Sequence, residues 1–122
     1  KIKKAIIYEG EKSPILYGSY FGIDNDISVA ACGSSLIKFQ AELLLSLGVQ
    51  ELVIAFDKQF KELHDNEWQR WVQKLYNINN KYKSIVKISF LFDKEGLLDY
   101  KASPIDAGKD VFLYLFKNRI ML

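Results

Sequence analysis

Three short apolar runs, each closing on an acidic side chain, constrain this chain more than any other feature. They are Ile6-Ile7-Tyr8-Glu9, Leu52-Val53-Ile54-Ala55-Phe56-Asp57 and Ile88-Ser89-Phe90-Leu91-Phe92-Asp93. The clearest of them lies in a strand over 51–57, whose apolar run, Leu52 to Phe56, is continuous rather than alternating. That is the pattern of a parallel strand covered on both faces. If the three strands run parallel, their carboxylates gather at one edge of the sheet.

Helical signals fill the intervals between the strands. Ser13-Pro14 reads as an N-cap with proline in the first turn, opening a helix to about Phe21. A strand over 27–32 follows and ends at Cys32-Gly33. Ser34 or Ser35 then caps a helix that carries Leu36, Phe39, Leu43, Leu44 and Leu47 at helical spacing, with Gly48 as its terminator. Asp65 or Asn66 caps a third helix marked by Trp68, Trp71, Val72, Leu75 and Ile78. A strand over 85–92 and a loop from Lys94 to Pro104 come next. Asp106 then caps a last helix that buries Val111, Phe112, Leu115 and Phe116. The order βαβαβαβα predicts an α/β fold with a mostly parallel four-stranded sheet flanked by helices. Strand order 2-1-3-4 would set strands 1 and 3 side by side at the switch point, where open α/β sheets bind ligands. Glu9 and Asp57 would then be neighbours.

Composition narrows the class of protein. The 122 residues suit one domain, 1–122, with a real core. The chain opens on Lys1 rather than Met and is read as a piece of a longer protein. A net charge of +2 does not by itself mark a nucleic-acid binder, although the 17 Lys and Arg could cluster on one face. One Cys and one His exclude an intrachain disulfide and an all-Cys/His zinc site, and the chain fits a reducing cytoplasm. No apolar run approaches the 18 or so residues of a membrane span. Cys32 reads as a small core residue, His64 as a solvated loop residue, and Trp68 and Trp71 as core. The basic residues Lys12, Lys58 and Lys101 stand beside strand ends, where each could meet a phosphate.

Carboxylates that meet at a sheet edge raise one another's pKa unless a cation sits between them. Mg²⁺, bound by one or two carboxylates together with substrate phosphates, is the usual cation. A carboxylate left off the metal can move a proton.

Three stretches give this plan a family likeness: Tyr8-Glu9-Gly10-Glu11-Lys12, then Val29-Ala30-Ala31-Cys32-Gly33-Ser34-Ser35-Leu36, then Leu52-Val53-Ile54-Ala55-Phe56-Asp57-Lys58-Gln59. In order and spacing they resemble the Toprim domain of bacterial-type primases, topoisomerases, recombination mediators and some nucleases. The resemblance covers nearly the whole chain. With the Leu97–Asp106 segment it is closest to the primase branch, in a phage or Gram-positive form. It implies a Rossmann-like Toprim fold with Glu9 and Asp57 catalytic. Glu9 would be the strand-1 glutamate that handles protons or assists the metal, and Asp57 would be the first acid of an Asp-x-Asp metal motif. Gln59 stands where the second acid of that motif belongs, and Ala102 where a later Lys-Asp-Pro segment carries one. The expected metal set is therefore Glu9, Asp57, Gln59 and Asp93, holding Mg²⁺ or Mn²⁺. The expected phosphate and nucleic-acid contacts are Lys12, Lys58 and Lys101.

The implied activity is nucleotidyl transfer from nucleoside triphosphates to an RNA primer on a DNA template, with a replicative helicase as a candidate partner. The domain alone is expected to be insufficient for priming. Other readings use the same acids. A Toprim nuclease would hydrolyse rather than polymerise, and a degenerate Toprim module would only bind. A receiver-like signalling domain would need a fifth strand ending in lysine, whereas four are found.

Overall fold

The computed structural model describes residues 4–9, 27–30, 42, 45, 46 and 48–121. Its sheet comprises β1 (Lys4–Tyr8), β2 (Ile27–Ala30), β3 (Glu51–Ala55) and β4 (Lys87–Phe90) in the order β2-β1-β3-β4. Every neighbouring pair is parallel. The register sets Ile7 opposite Ile54 and Tyr8 opposite Ala55, so β1 and β3 end level with each other. The central pair is buried on both faces, which is why its sequence is continuously apolar. This is an α/β fold with a parallel sheet flanked by helices.

Alternate residues feed two separate cores. Ala5, Ile7, Leu52, Ile54, Ile88 and Phe90 point to one face, against helix α1 (Asn66–Tyr82), which contributes Trp71, Leu75, Ile78 and Tyr82. Ile6, Tyr8, Val53 and Ala55 point to the other, against helix α2 (Lys109–Lys117), which contributes Phe112 and Leu115. Each of these large side chains stabilises the fold by roughly 1.5–3 kcal/mol through burial. Neither helix therefore needs high intrinsic propensity.

The ends of these elements follow the sequence pattern in some places and depart from it in others. Asp65 is the N-cap of α1, and its Oδ1 accepts the Trp68 N–H at 2.7 Å. Gly48, at φ 87°, donates its N–H to the Leu45 carbonyl, in keeping with a helix terminator. Strand β3 stops at Ala55, so Asp57 stands two residues beyond it. Strand β4 is shorter than the apolar run suggests, because the N–H groups of Ile85 and Val86 are still bound to the Tyr82 carbonyl at the end of α1. The last helix begins at Lys109 with Gly108 as N-cap, not with Asp106. The Asp106 carboxylate instead accepts the Ser103 N–H at 2.9 Å and closes a turn ahead of the helix.

A tether closes the edge of the sheet where β3 begins. Glu51 is buried at the start of β3, where its carboxylate takes a hydrogen bond from Ser89 at 2.6 Å and two from Arg119. Burial pushes the Glu51 carboxyl up, but these bonds and the Arg119 and Lys87 charges outweigh it and hold the group below the usual range. Ile120 forms an antiparallel bridge with Phe90, tying the segment after α2 to β4. The expected helices over 14–21 and 36–47 lie outside the described residues, apart from helical Glu42, Leu45 and Ser46. The same is true of Cys32 and of Lys12. Among the described residues no helix is long and apolar enough to cross a membrane.

Candidate functional site

Strand pairing brings Glu9 and Asp57 together. Each follows the end of one of two adjacent parallel strands, and the Asp57 N–H donates to Glu9 Oε1 at 2.7 Å. Both side chains are half-buried. Trp71 fixes the same strand end from α1, its indole Nε1–H donating to the Asp57 carbonyl at 3.0 Å. The tryptophan is core, as its position on the apolar stripe implies, and it also sets the chain direction just after β3.

Gln59 extends this arrangement away from the strands. Its Nε2 donates to both oxygens of Glu9, at 3.2 and 2.9 Å, and its Oε1 accepts from Lys74 Nζ at 2.7 Å. Lys74 sits in α1, one turn beyond Trp71. A chain of polar contacts therefore runs from helix α1 through Gln59 to the β1 glutamate.

Asp57 is electrostatically strained. Its own burial comes first, then the negative charges of Glu9 and Asp106, and together they push its carboxyl up from 3.8 to about 6. Asp106, read from the sequence as a helix cap, is thus part of the electrostatic surroundings of the site. A carboxyl that titrates near 6 with two acids facing it is poised to hold a proton or to welcome a cation.

Lys58 and Asp93 are joined to each other instead. Lys58 Nζ donates to Asp93 Oδ2 at 3.0 Å and to the Leu98 carbonyl at 3.1 Å. Asp93 also accepts the Leu97 and Leu98 N–H groups, both at 2.8 Å. Burial raises the Asp93 carboxyl, but these N–H groups and the lysine override that and hold it low. With side chains only 9% and 2% exposed, this is an internal ion pair that pins the loop after β4. Asp93, expected as a metal ligand, and Lys58, expected as a phosphate contact, are thus placed in a pair with each other.

Lys101 does face the site. Residues Lys58 and Lys101–Ala102 exchange backbone hydrogen bonds: Lys101 N–H to the Lys58 carbonyl at 2.7 Å and Lys58 N–H to the Ala102 carbonyl at 2.9 Å. This pairing holds Lys101 at φ 67°, a conformation uncommon for a non-glycine residue. A cleft of about 400 Å³ opens between that loop and α1, lined by Asp57, Gln59, Glu67, Arg70, Trp71, Lys74, Tyr100 and Lys101. The Tyr100 hydroxyl donates to Glu67, linking the two walls. Lys101 Nζ lies 5.5 Å from the centre of the Tyr100 ring.

Sequence reasoning misses Glu67, Arg70, Lys74 and Tyr100. The first three carry a usable signal. Glu67, Arg70 and Lys74 are spaced three and four apart and flank Trp71, so a helix that buries Trp71 must bring them to one side. Tyr100 carries no comparable signal, since it lies in a loop of no regular period.

Two carboxylates at the ends of adjacent strands, with Arg70 and Lys101 lining the cleft beside Asp57, are a donor type that suits a Mg²⁺ ion that keeps several waters. Glu9 and Asp57 are donors of that type, and burial, followed by the charges of Glu9 and Asp106, raises the Asp57 carboxyl. Gln59 does not join them, because its carbonyl oxygen faces Lys74 and its amide N–H groups face Glu9. Among the described residues no group of three or more His, Cys, Asp or Glu is arranged to hold a metal ion. An ion held by Glu9 and Asp57 alone would need water or phosphate oxygens to complete its shell.

The chain is 34% identical, over 98% of its length, to an uncharacterized protein derived from the SPbeta prophage, YorJ, of Bacillus subtilis strain 168. It spans about a third (33%) of that relative. No family model and no solved structure matches it.

Proposed function

We propose that this chain is a Toprim-type domain acting on the phosphates of nucleic acid, with primase-type nucleotidyl transfer as its reaction. The reading rests foremost on the pairing of Glu9 and Asp57 across adjacent parallel strands, with Asp57 pushed up to about 6. Mg²⁺ or Mn²⁺ would be held by the two carboxylates, and when bound it would neutralise phosphate charge and orient the reacting oxygens. The protein's own part is positioning. Arg70 and Lys101 line the cleft beside Asp57 and offer cations to a phosphodiester or triphosphate. Exposed Tyr100 offers a ring on which a base can stack. A template strand, a primer end and a nucleoside triphosphate are the ligands this chemistry recognises. The prophage origin of the 34% identical relative agrees with a role in replicating mobile DNA, where a replicative helicase would be a natural partner.

Calorimetric titration with Mn²⁺, with and without a nucleoside triphosphate, tests the site. We expect weak metal binding that tightens when nucleotide is present and disappears in Glu9→Gln. Absence of binding under both conditions would leave a Toprim-like scaffold used for contacts alone. Primer synthesis by the full-length protein on single-stranded template tests the reaction, and retention of activity in Glu9→Gln would remove Glu9 from catalysis.

One observation favours hydrolysis as the second reading. A carboxyl titrating near 6 can accept a proton from an attacking water at neutral pH, which a nuclease requires. Labelled DNA incubated with Mn²⁺ in the absence of nucleotides separates the two by product.

A further inference from the structure

The amide of Gln59 is held in one orientation by its neighbours. Lys74 can only donate hydrogen bonds, and an ionised Glu9 can only accept them. An amide placed between the two satisfies both in a single orientation, with Oε1 on the ammonium and NH₂ on the carboxylate. The observed distances follow it: 2.7 Å from Lys74 Nζ to Oε1, and 3.2 and 2.9 Å from Nε2 to the two oxygens of Glu9. The flipped amide would set NH₂ against ammonium and C=O against carboxylate.

From this geometry we infer that Lys74 is a positioning residue for Glu9, acting through Gln59 without touching the glutamate. The inference deepens the reading of the site given above, but its test requires neither metal nor nucleotide. Lys74 fixes the amide, and the amide and the Asp57 N–H together clamp the Glu9 carboxylate beside Asp57. The neutral amide adds no further negative charge next to Asp57, which already faces Glu9 and Asp106. The clamp spans two elements, since Lys74 belongs to α1 and Glu9 follows β1. The orientation of the glutamate is therefore tied to the docking of the helix that also forms the wall of the cleft.

The test is a double-mutant cycle on unfolding of the metal-free chain at pH 7, pairing Lys74→Met with Glu9→Gln. The cycle is then repeated in a Gln59→Ala background. Coupling between the two residues should amount to roughly 3- to 10-fold in the unfolding equilibrium constant. It should vanish in the Gln59→Ala background. Lys74→Arg should retain it. Coupling that survives without Gln59 would show a direct charge effect and overturn the proposal, as would no coupling when Gln59 is present. A second readout requires only one variant. The Gln59 side-chain amide protons should exchange slowly with solvent in the wild type and at least tenfold faster in Lys74→Met. Unchanged exchange would equally overturn it. Neither outcome depends on catalysis, so failure here is distinct from failure of the phosphoryl-transfer reading.

Discussion

Replacing Asp57 with asparagine should make the metal-free protein more stable at neutral pH, the opposite of what most half-buried substitutions do. The folded carboxyl is pushed from 3.8 to about 6 by its burial and by the charges of Glu9 and Asp106. The folded state therefore holds the Asp57 proton more tightly than the unfolded chain does. As pH rises from about 3.8 to about 6 the native state binds more protons than the unfolded state, so this group makes stability fall across that window. Above the window the destabilisation is fully present, and below it there is none. A rise of that size corresponds to about 3 kcal/mol. Because Asp57 is partly open to solvent, screening reduces the expectation to roughly 1–2 kcal/mol. Asparagine keeps the shape and removes the charge, so Asp57→Asn should gain that amount at pH 8 and nothing near pH 3.5. Urea unfolding of both proteins at pH 8, 6 and 3.5 measures it, and the corresponding rise in Tm at pH 8 is roughly 3–8 °C. Equal stability of the two proteins at pH 8, or a gain that persists at pH 3.5, would refute the electrostatic account of the site. A carboxylate that destabilises its own fold at working pH is the signature expected of a residue kept for binding.

Other consequences can be checked with the same chain. Asp93→Ala should lower stability by roughly 3–5 kcal/mol, since it leaves the Lys58 ammonium buried without its partner; urea midpoints report it. Asp65→Ala removes the N-cap bond to Trp68 and should lower stability by about 1 kcal/mol, visible in thermal melts followed by far-UV dichroism. Arg70→Ala and Lys101→Ala should leave the melting temperature within a few degrees. Each should reduce the salt dependence of single-stranded DNA binding by about one unit of log–log slope, measured by fluorescence anisotropy from low to moderate salt. An unchanged slope in both would place nucleic acid away from this cleft.

The fold class is readable in the sequence because burial on two faces leaves a compositional mark. Unbroken apolar runs at 5–8 and 52–56 report strands packed between layers, and the stripe Trp71, Leu75, Ile78 reports the helix that covers them. The pairing of Glu9 with Asp57 follows from strand order alone, because level parallel strands must end side by side. Other features are beyond such reasoning. Whether Asp93 faces a site or a lysine depends on how the loop after β4 folds back, and no periodicity encodes that path. Lys58 looks available because it follows an exposed-type acid in the sequence, yet the backbone pairing of Lys58 with Lys101 and Ala102 turns it inward. Asp106 has the sequence of a helix cap, but the turn it closes with Ser103 delays the helix to Lys109 and leaves its charge near Asp57.

Gln59 is where sequence and structure inform each other most. By the Toprim resemblance it stands where an acid is expected, which from sequence alone reads as a loss of metal-binding charge. In the structure the amide is the middle of a bridge whose far end, Lys74, is already cationic. An aspartate or glutamate at 59 would pair with Lys74 directly and at the same time set a further carboxylate near Glu9 and Asp57, beside the charge that Asp106 already contributes. Gln59→Glu should therefore raise the Asp57 carboxyl further in the metal-free protein and tighten Mn²⁺ binding, because added negative charge is offset only when a cation enters. NMR titration of Asp57 and a Mn²⁺ titration of the same variant read these two effects independently. If the glutamate variant leaves both unchanged, Lys74 has absorbed the new charge completely, and residue 59 belongs to the helix contact rather than to the acidic site.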